Sequence, residues 1–118
     1  MQHDRHSDRV CGVCARPAIG IGVAPSNARR LQDLIWLCND PECIEIGNKT
    51  MGLKQLEFSR LDSLATMEAG SDVERYCDEI GKTDLREFTQ QEWDNLCRRF
   101  VAGYRDALQT KLRDEAPF

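Results

Sequence analysis

Four cysteines in two short-spaced pairs constrain this chain more than any other feature. They are Cys11 and Cys14 in Cys11-Gly12-Val13-Cys14, and Cys38 and Cys43 in Trp36-Leu37-Cys38-Asn39-Asp40-Pro41-Glu42-Cys43. Four thiolates favour a tetrahedron around a divalent zinc ion, and each pair closes a local turn, so only the span from Cys14 to Cys38 needs a long closure. The first pair has the two-residue spacing of a zinc knuckle, with Gly12 free to turn its backbone amides toward sulfur. The second brackets a helix start. Asn39 or Asp40 suits the N-cap, Pro41 the first helical position, and Glu42 the positive end of the helix. That helix is predicted to run to Gly47, placing Cys38 just before it and Cys43 in its first turns, where the dipole favours a thiolate.

Three other fates compete for the same sulfurs. A thioredoxin-like redox motif needs Cys11 to Cys14 to open a helix, and Pro17, Gly20 and Gly22 deny it one. Plain core burial does not account for paired spacing among turn residues. Iron, alone or in an iron–sulfur cluster, is chemically allowed in such a cage. Structural zinc on Cys11, Cys14, Cys38 and Cys43 is the expectation. A closed four-sulfur site keeps no open coordination position, so no catalytic residue is assigned and no enzyme is expected. Four thiolates and one divalent ion leave a net charge of about −2, which Arg9, Arg16 and Lys49 lie close enough in sequence to offset.

The opening Met1 to Val10 holds no apolar signal segment, and no run approaches the ~20 apolar residues of a membrane span. The expected compartment is therefore the cytoplasm, where six cysteines point to metal binding or burial rather than disulfides. At 118 residues the chain suits one domain, or a small metal module joined to a helical piece.

Texture along the chain divides it in that second way. Residues 1–9 are polar and aperiodic and read as a flexible tail, with His3 and His6 as solvated residues rather than ligands. Residues 10–48 are punctuated by Gly and Pro, and the runs Ile19 to Ala24 and Leu34 to Leu37 suit two short strands, with Trp36 over the small core. This knuckle, two-stranded excursion and helix-borne pair is the layout of a treble-clef zinc finger. Residues 49–113 carry amphipathic helical spacing, and 114–118 form a C-terminal tail ending in Pro117-Phe118.

Three helices are predicted in that second part. The first spans about 50–68 on a stripe of Leu53, Leu56, Leu61, Leu64 and Met67, and ends at Gly70. The second opens at Ser71, capped with Glu74, and ends at Gly81. The third opens on a capping box of Thr89 and Glu92 and runs to about Leu112, with Trp93, Leu96, Cys97, Phe100, Val101, Tyr104, Ala107 and Leu108 on its apolar face. Cys77 and Cys97 fall on apolar stripes and read as small core hydrophobes. Gly103 within the third helix implies close approach of another helix, in the chain or in a dimer. The predicted class is small α+β, a treble-clef-like four-cysteine zinc finger followed by a three-helix α domain.

Charge limits the partners. The first fifty residues balance, while residues 51–118 carry ten basic and fourteen acidic groups and so hold the whole net charge of −4. Such a surface disfavours duplex nucleic acid unless a basic patch lies elsewhere, and Arg9, Arg16, Arg29 and Arg30 are the candidates for one. A protein partner is the first expectation, nucleic acid the second, and a membrane is not expected; monomer and homodimer are both compatible.

The chain also resembles a group of small phage and prophage proteins, mainly of alphaproteobacteria, that have no assigned activity. The residues carrying this are Cys11-Gly12-Val13-Cys14-Ala15-Arg16-Pro17-Ala18, Gly20-Ile21-Gly22, Trp36-Leu37-Cys38 to Cys43, Gly81 to Leu85, Glu92-Trp93 and the closing Pro117-Phe118. Isoleucine stands at position 21 where that group has an aromatic, and the second cysteine pair is wider. The resemblance implies a phage setting and a zinc module with a helical bundle. It implies no reaction.

Overall fold

The computed structural model of the chain describes residues 3–24 and 34–115. The expected basic pair Arg29-Arg30 and the Pro117-Phe118 ending lie outside the described residues. Strands β1 (Ile21–Val23) and β2 (Ile35–Leu37) pair antiparallel, Ile21 opposite Leu37 and Val23 opposite Ile35. Alternation along β2 buries Ile35 and Leu37 completely and leaves Trp36 half-buried on the other face, against Gly22. Ile35 and Leu37, rather than Trp36, therefore fill the core of this module.

Helix α1 (Pro41–Thr50) starts as its residues dictate: the Asp40 carboxylate accepts the Glu42 N–H at 2.9 Å, and Pro41 occupies the first position. It buries Cys43, Ile46, Gly47 and Thr50 on one face. It does not stop at Gly47. A Cβ there would lie 2.9 Å from the Leu37 Cδ2, so this glycine serves close packing of helix on strand rather than termination.

Two long helices follow, α2 (Gln55–Ile80) and α3 (Gln90–Glu115), joined through a 3₁₀ turn at Leu85–Glu87. They run antiparallel, Lys111 meeting Glu68 at 2.8 Å and Arg99 meeting Glu79 at 2.8 Å. The class therefore holds, a four-cysteine module followed by a helical domain with three helices in all, but the segmentation differs. The helices expected over 50–68 and from Ser71 are one continuous α2. Gly70 has open space around it, and the Ser71 hydroxyl donates back to the Met67 carbonyl at 3.3 Å instead of capping. One interior glycine costs only about 1 kcal/mol, less than the packing of a long helix against its neighbour provides. The helix does end at Gly81, in the left-handed conformation at φ 69°.

The capping box of α3 is present in both directions: the Glu92 N–H donates to Thr89 Oγ1 at 3.1 Å and the Thr89 N–H to Glu92 Oε1 at 2.9 Å. The helix continues to Glu115, so the first two residues expected in the C-terminal tail are helical. Gly103 lets α2 approach, its absent Cβ falling 3.5 Å from the Ala69 Cα. The buried face of α2 is Phe58, Leu61, Ala65, Ala69 and Tyr76, whereas Leu56 and Met67 of the expected stripe are 83% and 69% exposed.

One apolar core runs through both parts, from Val13, Ile35, Leu37 and Ile46 to Phe58, Leu61, Ala65, Leu108 and Leu112. Residues 3–9 are seated rather than loose. Arg5 is fully buried, its backbone N–H donates to Gln55 Oε1 at 3.1 Å, and the His3 N–H donates to Asp62. The expected flexible tail is thus strapped onto α2, because the fold gives its backbone polar groups specific partners.

Candidate metal centre

The knuckle is a turn closed by the Cys11 N–H donating to the Arg16 carbonyl at 2.7 Å and the Ala15 N–H to the Cys11 carbonyl at 3.0 Å, with Val10 and Pro17 bridged antiparallel across its base. Its left-handed residue is Ala15, φ 66°, not Gly12. Gly12 answers a different need. A Cβ there would fall 2.3 Å from Ile35 Cγ2 and 2.8 Å from the Arg5 carbonyl oxygen, so only glycine lets the knuckle sit on β2 and the N-terminal strap. The Val13 N–H donates to Cys11 Sγ at 3.4 Å, and the Gly12 N–H to the Trp36 carbonyl at 2.8 Å.

This packing, with β2 delivering Cys38 and the first turn of α1 delivering Cys43, gathers the four sulfurs. All four residues are buried, and their Sγ atoms lie within 4.8 Å of one another. Tetrahedral zinc thiolate, at about 2.3 Å per bond, has sulfur–sulfur edges of about 3.8 Å. Cys14 and Cys38 stand 3.6 Å apart, close to that edge and far beyond the ~2.05 Å of a disulfide. Cys11, Cys14, Cys38 and Cys43 can therefore hold a metal ion, as their spacing predicts. The turn at Cys11 to Cys14 opens no helix, which sets aside the redox-motif reading.

Without a cation the cluster shares its protons unevenly. Cys11 is held well below the usual thiol range because Cys14 and Cys43 donate to it. Cys14 is pushed up to about 12, first by that same hydrogen bond, and Cys43 is pushed up likewise by Cys11 and Cys14. Charge on Cys11 thus makes Cys14 and Cys43 resist ionising beside it. A divalent cation removes that conflict, and its binding releases protons.

Second contacts come from places the sequence does not advertise. On α3, the Gln109 side-chain amide donates to Cys43 Sγ at 3.1 Å and to Asp40 Oδ2 at 3.0 Å, joining the metal cluster to the helical pair. Arg113 of α3 pairs with Glu42 on the exposed side of the same junction.

The cation buried nearest the site is Arg5, not the expected Arg9, Arg16 or Lys49. Its guanidinium donates to the Gly12 carbonyl at 3.3 Å and to both the carbonyl and hydroxyl of Thr50, and lies over the Phe58 ring at 5.4 Å. Burial lowers Arg5 to about 10, so it stays charged at neutral pH and opposes the thiolate charge. Arg16 instead sits at 4.0 Å from Asp40, and Lys49 pairs with Glu45 at the surface. Nothing in a polar stretch such as His3 to Arg9 marks Arg5 as a core residue; the one hint is the excess negative charge of a four-thiolate site.

The remaining candidates fall outside the cluster. The His6 ring nitrogen Nδ1 meets the Leu34 carbonyl at 3.1 Å, and His3 stacks edge-on to Phe58 at 5.1 Å. Cys77 and Cys97 are half-buried rather than core. Arg9 and Arg16 are both exposed. Among the described residues no helix is long and apolar enough to cross a membrane.

Comparison with curated proteins and with solved structures finds no match. A family model does match, over residues 57–118, which takes in α3 and nearly all of α2 but leaves out the four cysteines. As that match covers just over half of the chain, the protein belongs to a family of unknown function (DUF6511).

Proposed function

We infer that this is a non-enzymatic, phage-encoded zinc-binding protein of the bacterial cytoplasm that engages a host or phage protein through its helical pair. Zinc is the ion that four cysteine sulfurs at near-tetrahedral spacing suit best, and a cage with four protein ligands leaves no position for substrate. The ion folds the front of the chain, and the front of the chain positions α3 through Gln109. The observation that carries the binding role is the far half of α3, where Trp93, Phe100 and Val101 stay exposed on a helix whose near half is fully packed at Leu108 and Leu112. An apolar stripe of this kind, with only two helices to cover it, marks a contact surface.

Tagged protein carrying its metal should retain a discrete protein from host lysate at moderate salt. The double variant Trp93→Ser, Val101→Glu should lose that partner while keeping its metal content. Retention of nucleic acid alone, or equal capture by the double variant, would count against the reading.

A second reading, nucleic-acid binding through the metal module, draws support from one grouping. Arg16 lines a groove of about 460 Å³ together with Arg98 and Arg105 of α3. Arg9 and the Arg29-Arg30 pair are its other candidates. Mobility shift of a labelled oligonucleotide across a salt series discriminates: phosphate neutralisation predicts a steep loss with salt, and no shift at low salt ends this alternative.

A further inference from the structure

Asp62 is buried on α2, yet among the described residues no basic side chain lies within 4 Å of it. Its Oδ1 accepts the Tyr104 hydroxyl and its Oδ2 accepts the His3 backbone N–H at 3.3 Å. Two hydrogen bonds leave each carboxylate oxygen with a lone pair to spare. The nearest candidate cations are committed elsewhere or neutral. Arg5 spends its guanidinium on Gly12 and Thr50. The His3 imidazole is held below its ordinary pKa by burial, and neither of its ring nitrogens has a hydrogen-bond partner among the described residues. An uncompensated buried carboxylate is costly, and native structures rarely leave one without a counter-charge.

Asp62 lines an open, solvent-facing cavity of about 530 Å³ between the N-terminal strap, the knuckle and the two long helices. Its other walls include His3, Tyr104, Phe100, Thr66 and Val10. Three of these are aromatic rings, and aromatic faces attract cations as well as apolar groups. The volume is in the range of pockets that take small molecules or single side chains.

We propose that this cavity is a binding site for a primary alkylammonium group, with Asp62 as its counter-ion and Phe100 and Tyr104 as its aromatic walls. The ammonium donates to the free lone pairs of Asp62, and the alkyl stem lies along Phe100 and Val10. A primary rather than quaternary ammonium fits, because Asp62 offers hydrogen-bond acceptors that a methylated nitrogen leaves unused. The group arrives either as a free amine or as a lysine side chain of another protein. The site shares Phe100 with the exposed stripe of α3 but not Trp93 or Val101, and because its test uses a small amine on the isolated chain and turns on Asp62, it stands whether or not that stripe binds a partner.

The test titrates the metal-loaded full chain with n-butylammonium chloride while amide and aromatic NMR shifts are followed. n-Butanol and sodium chloride serve as matched apolar and ionic controls. Saturable shifts at Thr66, Phe100 and Tyr104 are expected with the amine alone. Asp62→Asn should weaken binding by about tenfold or more, and Phe100→Ala, at an exposed position, by about two- to fivefold. Far-ultraviolet circular dichroism and metal content confirm that each variant is folded; should Asp62→Asn fail that check, Phe100→Ala with the two controls carries the test. An acetylated, amidated Gly-Lys-Gly peptide that binds more tightly than butylammonium identifies a protein lysine as the natural source, and weaker binding identifies a free amine. Equal responses to butanol and butylammonium, no saturable response, or unchanged affinity in a folded Asp62→Asn would overturn the proposal.

Discussion

Gln109 on α3 donates its side-chain amide to the sulfur of Cys43 on α1, 3.1 Å away, so the helical pair is hydrogen-bonded directly to the candidate metal cluster. The same amide reaches Asp40, the residue that caps α1, at 3.0 Å. One side chain thus orients a ligand and its supporting helix together. Replacing it with leucine leaves Cys43 and Asp40 short of a donor while preserving much of the volume. Gln109→Leu is expected to cost about 1–3 kcal/mol in stability, read as a lowered urea midpoint at unchanged slope. Metal affinity should fall about 10–100-fold, measured by competition with a coloured chelator.

Metal stoichiometry separates the six cysteines into two classes. One divalent ion per chain is expected by elemental analysis of protein purified without added metal, and it should persist in Cys77→Ser and Cys97→Ser, which lie outside the cluster. Cys14→Ser or Cys38→Ser should lose the ion, and with it the tertiary circular-dichroism signal of Trp36. Chelation of the intact protein should do the same, since ion binding in such modules is largely folding free energy. The helical signal should fall only in part, because Arg99 with Asp72 and Glu79, and Lys111 with Glu68, tie α2 to α3 away from the site.

Arg5 provides a sharper test of how the N-terminal strap is held. Arg5→Met keeps the stem over Phe58 but removes the donors to Gly12 and Thr50 and leaves the thiolate charge unopposed. Breaking a buried, charged network of this kind is expected to destabilise by about 3–5 kcal/mol. Arg5→Lys should recover only part of that, because an ammonium cannot serve the Gly12 carbonyl and both Thr50 oxygens from one planar fork. Thermal or urea unfolding of the metal-loaded variants reads both values. A change below about 1 kcal/mol for Arg5→Met would show that the strap contributes little to holding the fold.

What is legible in the sequence is what is fixed by neighbours along the chain. The two cysteine pairs, the Asp40-Pro41 helix start, the Thr89 and Glu92 box and the Gly81 ending are all local, and each is found where its residues place it. What is not legible depends on partners far away in sequence. Arg5 is buried by residues 12, 50 and 58, and Gln109 reaches a sulfur 66 positions distant. Periodicity places Leu53 and Leu61 of the expected stripe in the core, but leucine at 56 and methionine at 67 only look like core residues, and the face that packs also uses Ala65 and Ala69 to admit α3 at Gly103. Small residues at a close helix crossing carry little hydrophobic signal, so periodicity alone misses them and admits Leu56 and Met67 in their place.

The break expected at Gly70 and Ser71 has the same origin, and substitution there distinguishes one helix from two. Glycine followed by serine and an acidic residue reads locally as a stop and a new cap, yet Gly70 continues α2 with nothing within 4 Å of where its Cβ would be. Gly70→Ala should therefore stabilise the protein by about 0.5–1 kcal/mol, by removing backbone freedom from the unfolded chain without a clash in the folded one. Gly12→Ala should do the opposite, because its Cβ would meet a backbone oxygen at 2.8 Å that cannot swing aside. A cost of about 1–3 kcal/mol is expected there. Urea unfolding of the two variants beside the parent gives both signs in one experiment. Destabilisation by Gly70→Ala would restore a helix end at that position and split α2 in two.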